Sequence, residues 1–158
     1  MAVRFKQGRY TPVNPQKYLC KTDIREIFYR SSWERRCMIF FDQNPTIKWW
    51  NSEGMIIPYY LELDKKHHRY FVDFIVCFQR KDQPDEICLI EVKPYAETIP
   101  PKMPKTKTKK AVDRFVTQMQ TYEKNQAKWK AAREYAKMKG VNFIVLTEHD
   151  ILPKKTTK

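Results

Sequence analysis

Between Arg69 and Lys93 the chain carries two apolar runs, RYFVDFIVCFQ and ICLIEVK, on either side of the polar stretch RKDQPDE. Alternating side chains within each run and a Pro/Asp-rich break between them predict two antiparallel strands of one hairpin. This hairpin constrains the fold more than any other feature, because neither run reads as a plain core strand. On the first, Phe71, Asp73, Ile75 and Cys77 share one face, opposite Tyr70, Val72, Phe74 and Val76. On the second, Ile87, Leu89, Glu91 and Lys93 alternate with Cys88, Ile90 and Val92. An acid thus interrupts one apolar run, and an acid and an ammonium close the other. Glu91 and Lys93 have Cα atoms about 6.5–7 Å apart on the same face, and hairpin pairing can set Asp73 beside Glu91.

Upstream, Thr22 reads as an N-cap, with Asp23 and Glu26 in the first turn of a helix running to about Asp42. At 100° per residue Ile24, Ile27, Ser31, Glu34, Met38 and Phe41 share one stripe, so Glu34 faces the core. TIKWW and IIPYYLEL read as short strands separated by the turn-like NSEG. Residues 94–110 combine four prolines with Lys102, Lys105, Lys107, Lys109 and Lys110, a composition that predicts a mobile basic loop. A solvated connector and a DNA-clamping lid are both open for it. A helical pattern runs from Ala111 through Phe115, Met119 and Tyr122 to Trp129, Ala132 and Ala136. Asn125 is a candidate interruption and Gly140 the stop. VNFIVLT is a last strand, and residues 153–158 form a basic tail. Helix, strands, hairpin, long helix and strand imply an α/β fold, a mixed sheet with helices packed on it, in a single domain over residues 22–152. Residues 1–21 form a basic, mostly extended arm. Its Arg4, Lys6 and Arg9 are either DNA contacts or parts of a tethered terminus.

Charge enters at this point. Lysine and arginine number 31 against 18 acids, a net +13, and polyanions are the natural partners of such a surface. Cys20, Cys37, Cys77 and Cys88 form no C-x-x-C pair and read as reduced, mostly core thiols. The N-terminus lacks a signal-like apolar stretch, and no window approaches the roughly 18 apolar residues of a spanning helix. A soluble protein made in the cytoplasm, with no membrane partner, is the expectation. His67, His68 and His149 have no metal-ligand spacing. Trp49 and Trp50 are open to base stacking, with core packing expected of at least one.

If Glu34, Asp73, Glu91 and Lys93 meet at one end of the sheet, three carboxylates and one ammonium leave a local charge of roughly −2. Each like-charge pair ~4 Å apart costs about 4 kcal/mol at an effective dielectric near 20. Either some of these acids are protonated, or a divalent cation sits among them. All-oxygen ligands favour Mg²⁺ or Mn²⁺ over Zn²⁺. A cation held by carboxylates in a basic protein points to phosphate chemistry on nucleic acid. The plainer reading makes Glu91 and Lys93 an ordinary ion pair and lets Glu34 bond Arg69.

The pattern Asp73–x17–Glu91-Val92-Lys93 resembles the PD-(D/E)xK nuclease superfamily, with Val72 where the motif has proline. FYRSSWERRCMIFFD, with Glu34 in an S-x-x-E setting, and WKAAREYAKMKGVNFIVLTEHDI, with its T-E pair, are similar to the TnsA-like branch. Gln118-x-x-x-Tyr122 is similar to a Q-x-x-x-Y helix motif of the superfamily. GRYTPVNPQKY, with the length and basicity, resembles the head completion nucleases of T4-type tailed phages.

That resemblance implies a restriction-endonuclease-like mixed β-sheet flanked by helices, and a DNA endonuclease that leaves 5′-phosphates. It implies Mg²⁺, with Mn²⁺ able to substitute, held by Asp73, Glu91 and the Val92 carbonyl. Glu34 would be a further ligand or would orient water, and Lys93 would polarise the attacking water. Gln118 and Tyr122 would be accessory. Action late in head morphogenesis follows, in the host cytoplasm during assembly and with the virion as a second location. DNA and head, portal or neck proteins would be partners. Two alternatives stand beside it: a non-catalytic, DNA-binding head-plugging protein, and a partner-dependent transposase-type endonuclease subunit.

Overall fold

The expected hairpin is present, but its first strand is broken in two. The computed structural model describes residues 6–19 and 26–154. The run RYFVDFIVCFQ divides at Val72–Asp73 into β5 (Lys66–Phe71) and β6 (Phe74–Phe78); elements are numbered by chain order. β6 pairs antiparallel with β7 (Glu86–Val92), from Phe74↔Ile90 to Phe78↔Glu86. β5 instead pairs with β4 (Ile56–Leu61) in a separate two-stranded ladder. The connection before β4 takes over the backbone at the break: Val72 N donates to Met55 O at 3.1 Å, and Glu53 N donates to Asp73 O at 3.1 Å. With both groups satisfied there, the ladder has no need to continue through residues 72 and 73.

β3 (Ile47–Ser52) lies antiparallel to β6, and β8 (Asn142–Leu146) lies parallel to β7. The central sheet therefore has the order β3-β6-β7-β8 and is mixed. A parallel neighbour for β7 requires a crossover, supplied by α2 (Lys109–Lys139). α2 packs Trp129 and Ala132 with Tyr70, Leu89 and the inner side of β4 on one side of the sheet. On the other side α1 (Ser32–Gln43) packs Met38 and Phe41 against Trp50, Phe74 and Ile90. Helices on both faces of a mixed sheet give the expected α/β class. Trp50 is fully buried, which settles its role as core, and Cys37, Cys77 and Cys88 are buried free thiols. Cys20 lies outside the described residues.

Two helix expectations are corrected. α1 begins at Ser32, with Ser31 as its N-cap accepting from Glu34 N at 3.1 Å. Thr22, Asp23 and Ile24 lie outside the described residues, but Glu26–Arg30 are not α-helical. Phe28–Tyr29 (β2) instead pair antiparallel with Gly8–Arg9 (β1). Asn125 does not interrupt α2; its buried amide donates to Glu97 Oε2 at 3.4 Å and the helix runs on. Gly140 ends α2 as expected, at φ +67°, its N–H reaching the Ala136 and Lys137 carbonyls.

The described part of the N-terminal arm is docked. Asp42, with no exposed surface, accepts hydrogen bonds from Tyr10 Oη (2.7 Å), Val13 N (2.7 Å) and Asn14 N (2.9 Å). The Lys17 ammonium donates to the Asp42 and Asn44 carbonyls at the C-terminal end of α1. Lys6 and Arg9 are exposed, and Arg4 lies outside the described residues.

Candidate active site

The break after β5 is what delivers Asp73. One step beyond the last paired position of β6 and β7, it falls opposite Glu91, and the Val92 N–H donates to its Oδ2 at 2.8 Å. Glu91 is almost wholly buried near the end of β7. Its Oε2 accepts from Tyr70 Oη at 2.6 Å, and its Oε1 lies 3.5 Å from Lys93 Nζ. Lys93 N donates to Leu146 O at 2.9 Å, so the strand end bearing the ion pair stays tied to β8. Glu34 enters from the first turn of α1, its carboxylate accepting from Arg30 N (2.9 Å) and Ser31 Oγ (3.3 Å).

The electrostatics draw these groups into one cluster. Burial holds the Asp73 carboxyl well above the usual carboxylate range, and the Glu91 carboxylate pushes it further. The Val92 N–H and the Lys93 ammonium pull it back, while Glu34 adds to the rise. The neighbouring Cys37 thiol is pushed up to about 12 by burial, with Asp73 and Glu34 contributing. Of the four residues predicted from three separate segments, Asp73, Glu91 and Lys93 meet at one end of the sheet, and Glu34 lines a cleft with Val92 and Lys93.

An open cleft of about 200 Å³ is lined by Arg30, Ser31, Glu34, Val92 and Lys93. A larger groove, about 470 Å³, shares Pro94 and Glu97 with it and runs between residues 94–102 and α2. Lys102, Gln118 and Tyr122 line this groove, not the carboxylate cleft. Lys105, Lys107, Lys109 and Lys110 are exposed along the loop and the start of α2.

Two neighbours of the cluster do not stand out in the sequence. Alternation places Tyr70 on the face opposite Asp73, but the break at residues 72–73 resets that alternation and turns its hydroxyl onto Glu91. Lys128, on α2, holds its ammonium 5.4 Å from the centre of the Tyr70 ring. One lysine among the many on that helix carries no signal of its own.

Among the described residues no three acidic, histidine or cysteine side chains converge into a ready cation cage. Asp73 and Glu91 nevertheless keep carboxylate lone pairs beyond the hydrogen bonds they accept. Two carboxylates suit Mg²⁺, which binds through one or two of them and fills its remaining positions with water and substrate phosphate.

Residues 44–148 match the family model described as TnsA-like endonuclease N terminal. The chain belongs to the TnsA-like endonuclease family. It is also 39% identical over 141 residues to the head completion nuclease of Enterobacteria phage T4, a match covering 89% of this chain and 90% of that one. The resemblance expected from the sequence is borne out at both levels. In this TnsA-like endonuclease the matched span takes in Asp73, Glu91 and Lys93, while Glu34 precedes it. No helix among the described residues is long and apolar enough to cross a membrane.

Proposed function

We propose that this protein is a Mg²⁺-dependent DNA endonuclease that acts late in phage head assembly, processing packaged DNA and completing the filled head. The single observation carrying the reading is the placement of Asp73 against Glu91 and Lys93, held by the Val92 N–H and the Tyr70 hydroxyl. Asp73 and Glu91, with the Val92 carbonyl, would hold Mg²⁺, or Mn²⁺ in its place. When bound, the cation supplies Lewis-acid activation of the phosphate and water. Lys93, set beside Glu91, orients the attacking water and offsets charge that grows on the phosphate oxygens. Hydrolysis forms a P–O bond to that water and breaks P–O3′. A proton passes to the departing oxygen, and the products are a 5′-phosphate and a 3′-hydroxyl. Glu34, anchored by Arg30 N and Ser31, sits at the cleft wall as a further acid to orient water or ligate.

The head-completion role is carried over from the name of the T4 relative. DNA and the head, portal or neck proteins are then its partners, met in the host cytoplasm during assembly and retained in the virion. Exposed Lys6, Arg9 and the lysines of residues 102–110 would follow the DNA backbone without reading bases. Supercoiled, branched and overhanging DNA incubated with Mg²⁺, Ca²⁺ or EDTA tests the chemistry: cutting with Mg²⁺ alone, leaving 5′-phosphates, is expected. Binding without cutting of any of the three would instead favour a head plug. Adding the protein to filled, tailless heads tests the role, with tail joining as the readout.

A further inference from the structure

α2 crosses the sheet with one cation, set over the Tyr70 ring, that the mechanism above leaves unused. Lys128 is half-buried, and its ammonium stands over the Tyr70 ring at 5.4 Å. The same Tyr70 donates its hydroxyl to Glu91 at 2.6 Å, so the lysine abuts the side chain that buttresses the proposed ligand. Among the described residues Lys128 has no carboxylate within ion-pair distance. A partly desolvated ammonium without a counter-ion is costly unless something anionic completes it. Burial acts against its charge first, and the Lys93 and Lys124 ammoniums add to that, while Glu91 and, less, Asp73 favour it. Lys93 thus pairs with Glu91 from the end of β7, and Lys128 reaches Tyr70, the hydrogen-bond partner of the same carboxylate, from α2.

We propose that Lys128 is a second phosphate-binding cation of the active site, its ammonium contacting a non-bridging oxygen of the phosphate that is cleaved. The proposal rests on the endonuclease reading above. A phosphate seated there gives the Lys128 ammonium an anion and sets negative charge between it and the Lys93 ammonium. Lysine suits the task as a compact point charge on a flexible stem. The cation–π contact with Tyr70 holds that stem in place before DNA arrives. Because charge on the non-bridging oxygens is spread through the transition state, Lys128 contributes to the chemical step more than to overall DNA affinity.

The test compares Lys128→Gln and Lys128→Arg with Lys130→Gln, an exposed lysine two residues on along α2. Single-turnover cleavage of plasmid at saturating enzyme with Mg²⁺ reads the chemical step; binding of a fluorescent duplex with Ca²⁺ reads affinity. Lys128→Gln is expected to cut about 100-fold more slowly. Its duplex affinity should stay within about threefold of wild type, and Lys128→Arg should recover most of the rate. A purely structural lysine would instead shift the urea midpoint and leave the saturated rate alone. Wild-type cleavage by Lys128→Gln overturns the proposal while leaving the endonuclease reading intact. If the wild type cuts nothing, the endonuclease reading fails. The proposal, which places Lys128 on the phosphate that is cleaved, then fails with it.

Discussion

Replacing Asp73 with Asn is expected to stabilise the protein while abolishing cleavage. Burial, and after it the Glu91 carboxylate, hold the Asp73 carboxyl well above its ordinary range. Directly opposed residues place their Cβ atoms about 4.5–5.5 Å apart. Two charges about 5 Å apart repel by roughly 3 kcal/mol at an effective dielectric near 20. Asn removes that repulsion and keeps an oxygen for the Val92 N–H, while Lys93, 3.5 Å from Glu91, already offsets part of it. The net gain expected is about 1–2 kcal/mol, or roughly 2–8 °C in melting temperature. Its pH dependence has a definite sign. The unfolded chain ionises Asp73 near the ordinary value, and the folded protein does so only at higher pH. The stability associated with the protonated carboxyl is therefore complete below the unfolded value and lost as pH rises through the folded one. The advantage of Asp73→Asn should accordingly be largest at about pH 8 and fade towards about pH 4. Thermal unfolding in EDTA at both pH values measures it. Repeating the melts with Mg²⁺ should stabilise the wild type by about 1.4 kcal/mol at ten times its dissociation constant, and the variant much less. A variant less stable than wild type at the higher pH, or a gain that ignores pH, would refute the charge-cluster account.

Asp42→Ala should cost about 2–4 kcal/mol in urea unfolding, because it strands the donors of Tyr10, Val13 and Asn14 in a buried place. Weaker hydrogen-exchange protection at Val13 and Asn14 should accompany it. Gly140→Ala should cost only about 1 kcal/mol. Nothing lies within 4 Å of an added Cβ, so the left-handed backbone at φ +67° is the whole penalty, readable as a small drop in melting temperature. Removing Lys102, Lys105 and Lys107 together should flatten the log–log salt dependence of DNA affinity by about 0.9 for each phosphate no longer neutralised. An unchanged slope would place the DNA away from the loop.

Much of the candidate site is legible in the sequence because its parts lie on elements with strong local patterns. Alternation and the RKDQPDE turn specify the pairing of β6 with β7, and that pairing alone puts Asp73 opposite Glu91. The break at Val72–Asp73 is not legible, since the groups that stabilise it belong to Glu53 and Met55, from a different strand connection. Tyr70 escapes the pattern for the same reason: one lost register position moves a side chain to the other face. The start of α1 is obscured by Ile27. It is buried as the stripe demands, yet in extended chain whose carbonyl accepts from Tyr10 N at 2.9 Å. The Ser31–Glu34 cap is visible in the sequence but competes with an earlier candidate at Thr22. Asp42, at the inner end of α1, gives no hint of its role, because its partners lie 28 to 32 residues away.

The claim on which everything else depends is that Asp73, Glu91 and Lys93 form the catalytic centre. The most direct measurement is Mg²⁺-dependent cleavage of supercoiled plasmid by wild type, Asp73→Ala and Lys93→Ala, each first shown to be folded and to bind DNA with Ca²⁺. The account predicts nicking by wild type and none above background by either variant. Cleavage by either variant at the wild-type rate would contradict it and move the active site elsewhere on the molecule.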